Sequence, residues 1–161
     1  MKRSLVLTGL LVSMLFAGSD PFWGIWTLNV HKSKYPQGTA PKQMVIRMEP
    51  AGDGIHYQSE TTGADGKVAQ AEYVADYSGK AATVRGTVGL LIPVSLQRPD
   101  ANTVVASYTR GGEVIATSRR SVSKDGRVMT ITTVSKDKGG HTVTNIGVYE
   151  KTADRDRPAD K

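Results

Sequence analysis

Four tyrosines are the residues best suited to form a binding site in this chain. Tyr57, Tyr73, Tyr77 and Tyr108 each share a face of an alternating pattern with residues expected to be buried. A buried tyrosine hydroxyl needs a hydrogen-bond partner, so tyrosines line a cavity better than they fill a tight core. The pattern therefore indicates an internal binding site. It is equally compatible with tyrosines that pack across strands and carry their hydroxyls at the surface.

Catalytic and metal-binding arrangements find little support in the sequence. His31, His56 and His141 lie in three separate segments, and His56 and Glu60 would be roughly 13 Å apart along one extended strand. No serine occupies a Gly-x-Ser-x-Gly elbow, and no glycine-rich phosphate loop opens a helix. Because the chain has no cysteine, disulfides and thiolate metal sites are excluded. We expect no enzyme, no catalytic residues, no metal and no cofactor.

Length and charge indicate one domain without a nucleic-acid track. The 161 residues fit a single core, and the formal net charge is +6. The charges are scattered and mixed in sign, which suits a solvated surface. Aromatic residues fall mostly on the face predicted to be inside, whereas single-stranded nucleic acid would need them outside. We expect no nucleic-acid partner and a monomer.

The elements that must position the tyrosines are short strands separated by tight turns. Turn pairs such as Asp53-Gly54, Gly111-Gly112 and Asp125-Gly126 recur along the chain, between segments rich in Val, Ile, Thr and Tyr. The spacing predicts an all-β fold, a single antiparallel meander β-barrel of about eight to ten strands. The predicted strands are Gly24–Val30, Gln43–Glu49, Gly54–Thr61, Val68–Tyr77, Ala82–Arg85, Leu91–Gln97, Thr103–Thr109, Glu113–Val122, Arg127–Ser135 and Thr142–Lys151.

The two ends of the chain differ from this meander. Lys2 and Arg3, the apolar run Leu5–Phe16 and the small residues 17–19 have the pattern of a secretory signal peptide. The run is too short to span a bilayer comfortably, so we expect no membrane span. The sequence predicts a signal peptide over residues 1–19, cleaved near Ser19, and a periplasmic or secreted barrel over 20–151. A disordered charged tail is predicted over 152–161.

A proline-bearing connection follows the first predicted strand. The segment His31–Lys42 contains Pro36, Gly38 and Pro41, which forbid a regular helix. A long connection at this point of a barrel either lies over one mouth as a lid or crosses the surface without a role. Both interpretations remain open at this stage.

The opening of the predicted mature chain resembles a known superfamily. The segment Asp20–Asn29 contains Gly24-Ile25-Trp26, which is similar to the Gly-x-Trp signature of calycins, the lipocalins and fatty-acid-binding proteins. Together with the Lys32–Tyr35 stretch, it looks most like uncharacterised secreted bacterial lipocalin-like proteins. The resemblance implies a calycin-like barrel over nearly the whole mature chain.

The resemblance also implies roles for particular residues. In calycins the matching Trp packs at the closed end of the barrel under a basic residue from a late strand. Trp26 takes the Trp position, and Arg119 or Arg120 is the candidate partner, since guanidinium groups stack on indole rings. We favour Arg120, because it shares a strand face with Ala116 and Val122. The alternative is that both arginines are solvated charges at the edge of the sheet.

Two departures limit what the resemblance carries over. Fatty-acid-binding proteins have a helix pair after the first strand, which the prolines forbid here. They also hold the ligand carboxylate with an Arg-x-Tyr on the last strand. Gly147 occupies the arginine position in this chain, and only Tyr149 of that pair is present.

These observations predict an exported protein that binds a small hydrophobic or amphipathic molecule inside a barrel. The alternative is a structural or interaction barrel whose core is filled and which has no ligand. A cavity below about 300 Å³ would favour that alternative. The predicted ligand-binding residues are Trp26, Met44, Ile46, Tyr57, Tyr73, Tyr108, Arg120 and Tyr149.

Overall fold

The computed structural model describes residues 19–87 and 92–152, and the fold there is almost entirely β. The predicted signal peptide and tail lie outside the described residues, apart from Ser19 and Thr152. One 3-10 helix, Val30–Lys32, accompanies the strands. The strands are β1 Gly24–Leu28, β2 Gln43–Ala51, β3 Gly54–Thr62, β4 Val68–Asp76, β5 Ser78–Thr83, β6 Arg85–Gly86, β7 Pro93–Asp100, β8 Thr103–Arg110, β9 Glu113–Val122, β10 Val128–Lys136 and β11 Thr142–Lys151.

All the strands belong to one antiparallel sheet that curls into a nearly closed barrel. Its order is β5-β7-β8-β9-β10-β11-β1-β2-β3-β4-β6, so most neighbours in space are neighbours in sequence. The pairing of β1 with β11, with Trp26 opposite Lys151, joins the start of the chain to its end. The barrel fold and the meander are therefore as predicted. The predicted strand Ala82–Arg85 is replaced by β5 and β6, because the chain leaves β7 near Thr83 and pairs with β4 instead.

Phe22 and Trp26 fill one end of the barrel, which we call the closed end. Both side chains are fully buried, and the Trp26 indole nitrogen donates to the Phe22 carbonyl at 2.8 Å. Gly24 between them has φ of +125°, a conformation that side chains with a Cβ rarely adopt. This explains why the Gly-x-Trp motif needs its glycine.

The expected arginine partner of Trp26 was wrong. Lys151 of β11 lies over the indole ring at 4.7 Å and donates to the Pro21 carbonyl at 3.0 Å. Lys151 is directly opposite Trp26 across the β1–β11 ladder, whereas Arg120 is two strands further round the barrel on β9. Arg120 does point inward, as expected, with only 2% of its surface exposed.

The connection His31–Lys42 leaves the sheet and then crosses the other end of the barrel. Ser33 Oγ accepts a hydrogen bond from the Val148 amide at 2.9 Å. This bond satisfies the Val148 N–H, which has no strand partner where the 3-10 helix interrupts the pairing. Lys34 pairs again with Ile146 on β11. The segment then returns to the sheet where the Lys42 amide donates to the Thr62 carbonyl at 2.9 Å. The connection is thus fastened at both of its ends.

Candidate functional site

A cavity of about 390 Å³ opens inside the barrel at the end crossed by the His31–Lys42 connection. Three residues of that connection lie on its wall, so the connection covers a mouth and does not merely cross the surface. The remaining wall comes from six strands and the turn after β3. The lining residues are Tyr35, Thr39, Pro41, Met44, Tyr57, Thr61, Gly63, Tyr108, Ser118, Arg120, Ile131, Thr133, Asn145, Gly147 and Tyr149.

Arg120 is the charged group of this cavity. Its guanidinium lies 4.7 Å from the centre of the Tyr57 ring and 5.9 Å from that of Tyr73. One of its nitrogens donates to the Tyr108 hydroxyl at 3.2 Å. Tyr57 and Tyr73 are themselves stacked, with their ring centres 4.8 Å apart. Three tyrosines from β3, β4 and β8 therefore surround one buried cation.

Arg120 has no acidic partner among the residues that the structure describes. None of the ion pairs formed there includes it, although it is almost completely buried. Its Nε and the Tyr73 hydroxyl are both buried without a hydrogen bond of ordinary geometry. Burying a charge is costly unless it is paired, and aromatic rings compensate only in part. The cavity therefore presents an uncompensated positive group to whatever enters it.

Burial favours the neutral form of the stacked pair Tyr57 and Tyr73. It raises the pKa of Tyr57, although the Arg120 charge acts in the opposite direction. The same two influences act on Tyr73, and burial again prevails. Burial acts to lower the pKa of Arg120, but the surrounding tyrosines, Tyr73 first, outweigh it and raise it. At neutral pH the site thus combines a guanidinium cation with phenol hydroxyls that can donate.

Tyr149 and Tyr35 close the cavity on the β11 side. The Tyr149 hydroxyl donates to the Met44 sulfur at 3.1 Å, and burial raises the pKa of Tyr149. A Cβ on Gly147 would lie 2.7 Å from the Tyr149 ring and 3.0 Å from the Tyr35 hydroxyl. Gly147 therefore leaves the space in which these two tyrosines meet. This is a steric reason for a glycine at the position where the resembling family has its arginine.

Ser118, Thr133 and Asn145 form a polar row towards the mouth. They are direct cross-strand neighbours on β9, β10 and β11. Ser118 and Thr133 share a hydrogen bond of 2.5 Å between their hydroxyls. The Asn145 Oδ1 atom is buried and has no hydrogen-bond partner. The row therefore carries an acceptor that nothing in the described chain satisfies.

The structure brings together five of the eight predicted binding residues. Met44, Tyr57, Tyr108, Arg120 and Tyr149 line the cavity. The other three do not. Trp26 and Ile46 are fully buried in the core towards the closed end, and Tyr73 lies behind Tyr57 against the guanidinium. Alternation along a strand indicates which side chains point inward, but not how deep in the barrel each one lies.

The sequence patterns did not predict several of the lining residues. Tyr35, Thr39 and Pro41 belong to a connection with no regular pattern, so nothing local placed them inside. Ser118 and Asn145 are polar residues on inward faces. They are separated from Arg120 and Tyr149 by even numbers of residues, and this period of two could have predicted them. Residues of this kind are normally assigned to the surface when they are read one at a time.

A second groove, of about 730 Å³, lies on the outer face of β2, β3, β4 and β6. Although it is larger, two of its carboxylates are already bound by neighbouring side chains. Gln70 donates to Glu60 at 2.9 Å, and Glu72 contacts His56 at 2.6 Å. Over residues 19–87 and 92–152, no group of His, Asp and Glu is placed to hold a metal ion. The inner cavity, with its unpaired groups, is the better candidate site.

The fold and the cavity together define a calycin-like β-barrel. The chain is similar to the crystal structure of zebrafish ileal bile acid-binding protein complexed with cholic acid. The sequence identity is 12%, the TM-score is 0.55, and the match covers 82% of this chain and 99% of the zebrafish chain. A likeness at this identity shows the fold alone. In sequence, no protein-family model and no curated protein matches the chain. Among the described residues, no helix is long and apolar enough to cross a membrane.

Proposed function

We propose that this chain is an exported, non-enzymatic binding protein for an amphipathic small molecule that carries an anionic group. The anion binds Arg120 inside the barrel, and the rest of the molecule lies against the cavity wall. The observation that carries the proposal is the buried guanidinium, 2% exposed and without an acidic partner in the described chain, on the wall of a cavity.

The chemistry of Arg120 explains the choice of an anion. A guanidinium binds a carboxylate or sulfonate through charge-assisted hydrogen bonds, and these are strongest away from water. Its Nε is buried without a hydrogen bond of ordinary geometry, so the protein leaves part of the hydrogen-bonding capacity of the guanidinium unused. The Tyr108 hydroxyl already accepts a hydrogen bond from the same guanidinium and fixes its position. An anion would therefore complete an arrangement that the protein holds ready.

The wall of the cavity explains why the ligand is amphipathic. Met44, Ile131 and the ring faces of Tyr57 and Tyr149 supply apolar surface next to the cation. The zebrafish protein of similar fold was crystallised with cholic acid, a bound carboxylic acid that supports the same kind of ligand here. The alternative of a filled barrel is less well supported, because the cavity exceeds the size of about 300 Å³ at which ligand pockets begin.

Export is supported by the sequence of the first residues. Lys2, Arg3 and the apolar run Leu5–Phe16 have the composition of a signal peptide. Asp20, the first residue after the expected cleavage point, accepts a hydrogen bond from the Phe22 amide at 2.9 Å and pairs with Arg98. Asp20 is thus held in the fold directly after the expected cleavage point. A periplasmic or secreted location follows from this proposal.

A matched pair of dyes tests the anion site. The first is 8-anilinonaphthalene-1-sulfonate, and the second is N-phenyl-1-naphthylamine, which has the same rings without the sulfonate. We expect the sulfonate to bind more tightly, and Arg120→Met to weaken it by about tenfold or more, since a hydrogen bond to a charged group is lost. Binding of the uncharged dye should hardly change. Dye fluorescence is the measurement, because Trp26 does not line the cavity and is a poor reporter.

Arg119→Met is the control for this experiment. Arg119 is the exposed neighbour of Arg120 on the same strand and carries the same charge on the outer face. It should leave binding of both dyes unchanged. If the two arginine variants weaken sulfonate binding equally, the dye is bound by surface charge and the proposed site is wrong.

A further inference from the structure

The polar row Ser118–Thr133–Asn145 lies beside the anion site and is not needed for it. Ser118 is two residues from Arg120 on β9, and Asn145 is two residues from Gly147 on β11. Both separations run along a strand in the direction of the mouth. Two strand residues correspond to about 7 Å. The row is therefore displaced from the backbone of Arg120 and Gly147 by about that distance on the same wall of the cavity.

The row has hydrogen-bonding capacity that the protein does not use. The Asn145 Oδ1 atom is buried, lies on a cavity-lining side chain and accepts no hydrogen bond. Ser118 and Thr133 bond to one another, which occupies one of their two hydroxyl protons and leaves the other free to donate. The row thus offers an acceptor and a donor side by side, which is what a ligand hydroxyl requires.

The cavity wall between the Arg120 guanidinium and the polar row is aromatic. Tyr57, Tyr108 and Tyr149 line the cavity together with Arg120, and Tyr35 covers the mouth. The aliphatic lining is confined to Met44, Ile131 and Pro41. Flat ring faces match such walls better than a flexible acyl chain does, because rings stack on tyrosines and lose little conformational freedom on binding.

We propose that the Ser118–Thr133–Asn145 row is a second polar subsite that binds a hydroxyl group of the ligand. The ligand class is then a ring-containing hydroxy acid, with its acidic group at Arg120 and its hydroxyl at Asn145. The hydroxyl donates to Asn145 Oδ1 and accepts from Ser118 or Thr133. This inference rests on the proposed function, since it takes the anion at Arg120 as its starting point.

A pair of naphthoates tests the subsite. The probes are 6-hydroxy-2-naphthoate and 2-naphthoate, which differ only in a hydroxyl at the far end of a rigid bicyclic ring. We expect the hydroxylated probe to bind the native chain about tenfold more tightly, because a site built to hold a hydroxyl discriminates against its absence. Asn145→Ala should remove this preference and leave the parent acid bound as before. Isothermal titration calorimetry measures both affinities.

Two outer-face variants serve as controls. Thr144 is the exposed neighbour of Asn145, and Thr132 precedes Thr133 on β10 and faces the opposite side of the sheet. Thr144→Ala and Thr132→Val should keep the hydroxyl preference, whereas Asn145→Ala should lose it and Thr133→Val should reduce it. Thermal unfolding of each variant shows whether the barrel is intact, and Thr133→Val gives an independent result if Asn145→Ala folds poorly.

The possible results separate the two proposals. If the native chain binds both naphthoates equally and Arg120→Met weakens both, the hydroxyl subsite is refuted and the anion site stands. If the preference persists in both Asn145→Ala and Thr133→Val, the row is not its source. If neither naphthoate binds while the sulfonate dye does, the ring-containing hydroxy acid is the wrong class. If Arg120→Met changes the affinity for no acid, the proposed function itself fails.

Discussion

The closed end and the cavity hold their cations in opposite ways. At the closed end Lys151 lies over Trp26 and donates to a carbonyl, and Arg98 pairs with Asp20 and donates to the Ala101 carbonyl at 2.7 Å. In the cavity Arg120 has tyrosine neighbours and no acid in the described chain. Both regions use aromatic rings next to cations. Among the described residues, only the closed end pairs one of these cations with a carboxylate.

The difference in how the cations are held accompanies a difference in packing along the barrel axis. Phe22, Trp26 and Ile46 are fully buried towards the closed end, whereas a cavity opens at the other end. At the other end Arg120 Nε, Tyr73 Oη and Asn145 Oδ1 are buried without a hydrogen bond of ordinary geometry, and near the closed end the same holds for Trp23 Nε1 and Tyr77 Oη. Unsatisfied buried groups cost stability, and the three at or beside the cavity include a guanidinium nitrogen, whereas the two near the closed end belong to neutral side chains.

The largest expected effect is at the closed end. Trp26→Ala should lower the free energy of unfolding by roughly 3–5 kcal/mol, because it removes a fully buried indole and leaves a cavity. Urea unfolding followed by circular dichroism measures this loss. Trp23→Ala, at a less buried tryptophan in the same segment, should cost clearly less. Equal losses from both variants would show that the full burial of Trp26 at the closed end adds nothing to its contribution to stability.

Alkaline pH should act mainly on the cavity. Burial raises the pKa of Tyr57, Tyr73 and Tyr149 above their usual 10.0, so the unfolded chain releases these protons first as the pH rises. The stabilisation is complete below pH 10 and is lost above it. The loss is about 1.4 kcal/mol per pH unit for each tyrosine that titrates only after unfolding.

Thermal unfolding between pH 8 and pH 12 measures this alkaline loss. Tyr57→Phe keeps the ring and removes one of the titrating groups, so its stability should fall less steeply above pH 10. Identical slopes for the native chain and Tyr57→Phe would show that the Tyr57 phenol is not kept neutral by burial.

The smallest expected change in the free energy of unfolding comes from replacing one arginine in each region, and its sign differs between the two. Arg120→Met should raise the free energy of unfolding by about 1 kcal/mol, since a buried charge without an acid is replaced by an apolar side chain. Arg98→Met should instead lower it, because Asp20 is left without its partner. Urea unfolding of the two variants measures both changes. A stabilised Arg98→Met, or a destabilised Arg120→Met, would contradict the comparison between the two ends.

Much of the fold is determined locally in the sequence. Glycine-containing turns set the ends of the strands, and alternation set which side chains face inward; Tyr57, Tyr108 and Arg120 were placed on the inner face correctly. Gly24 and Trp26 identified the closed end, because a motif of two residues can specify one backbone conformation and one buried ring. These features depend on a residue and its near neighbours, so the sequence alone determines them.

Only the tertiary structure decided which inward residues meet and at what depth. Lys151 reaches Trp26 because β1 pairs with β11, a contact between residues that are 125 positions apart. Ser118, Thr133 and Asn145 form one row only in the observed register, and a shift of one residue would turn each of them outward. Register and closure depend on the whole sheet, and for that reason no local pattern in the sequence contains them.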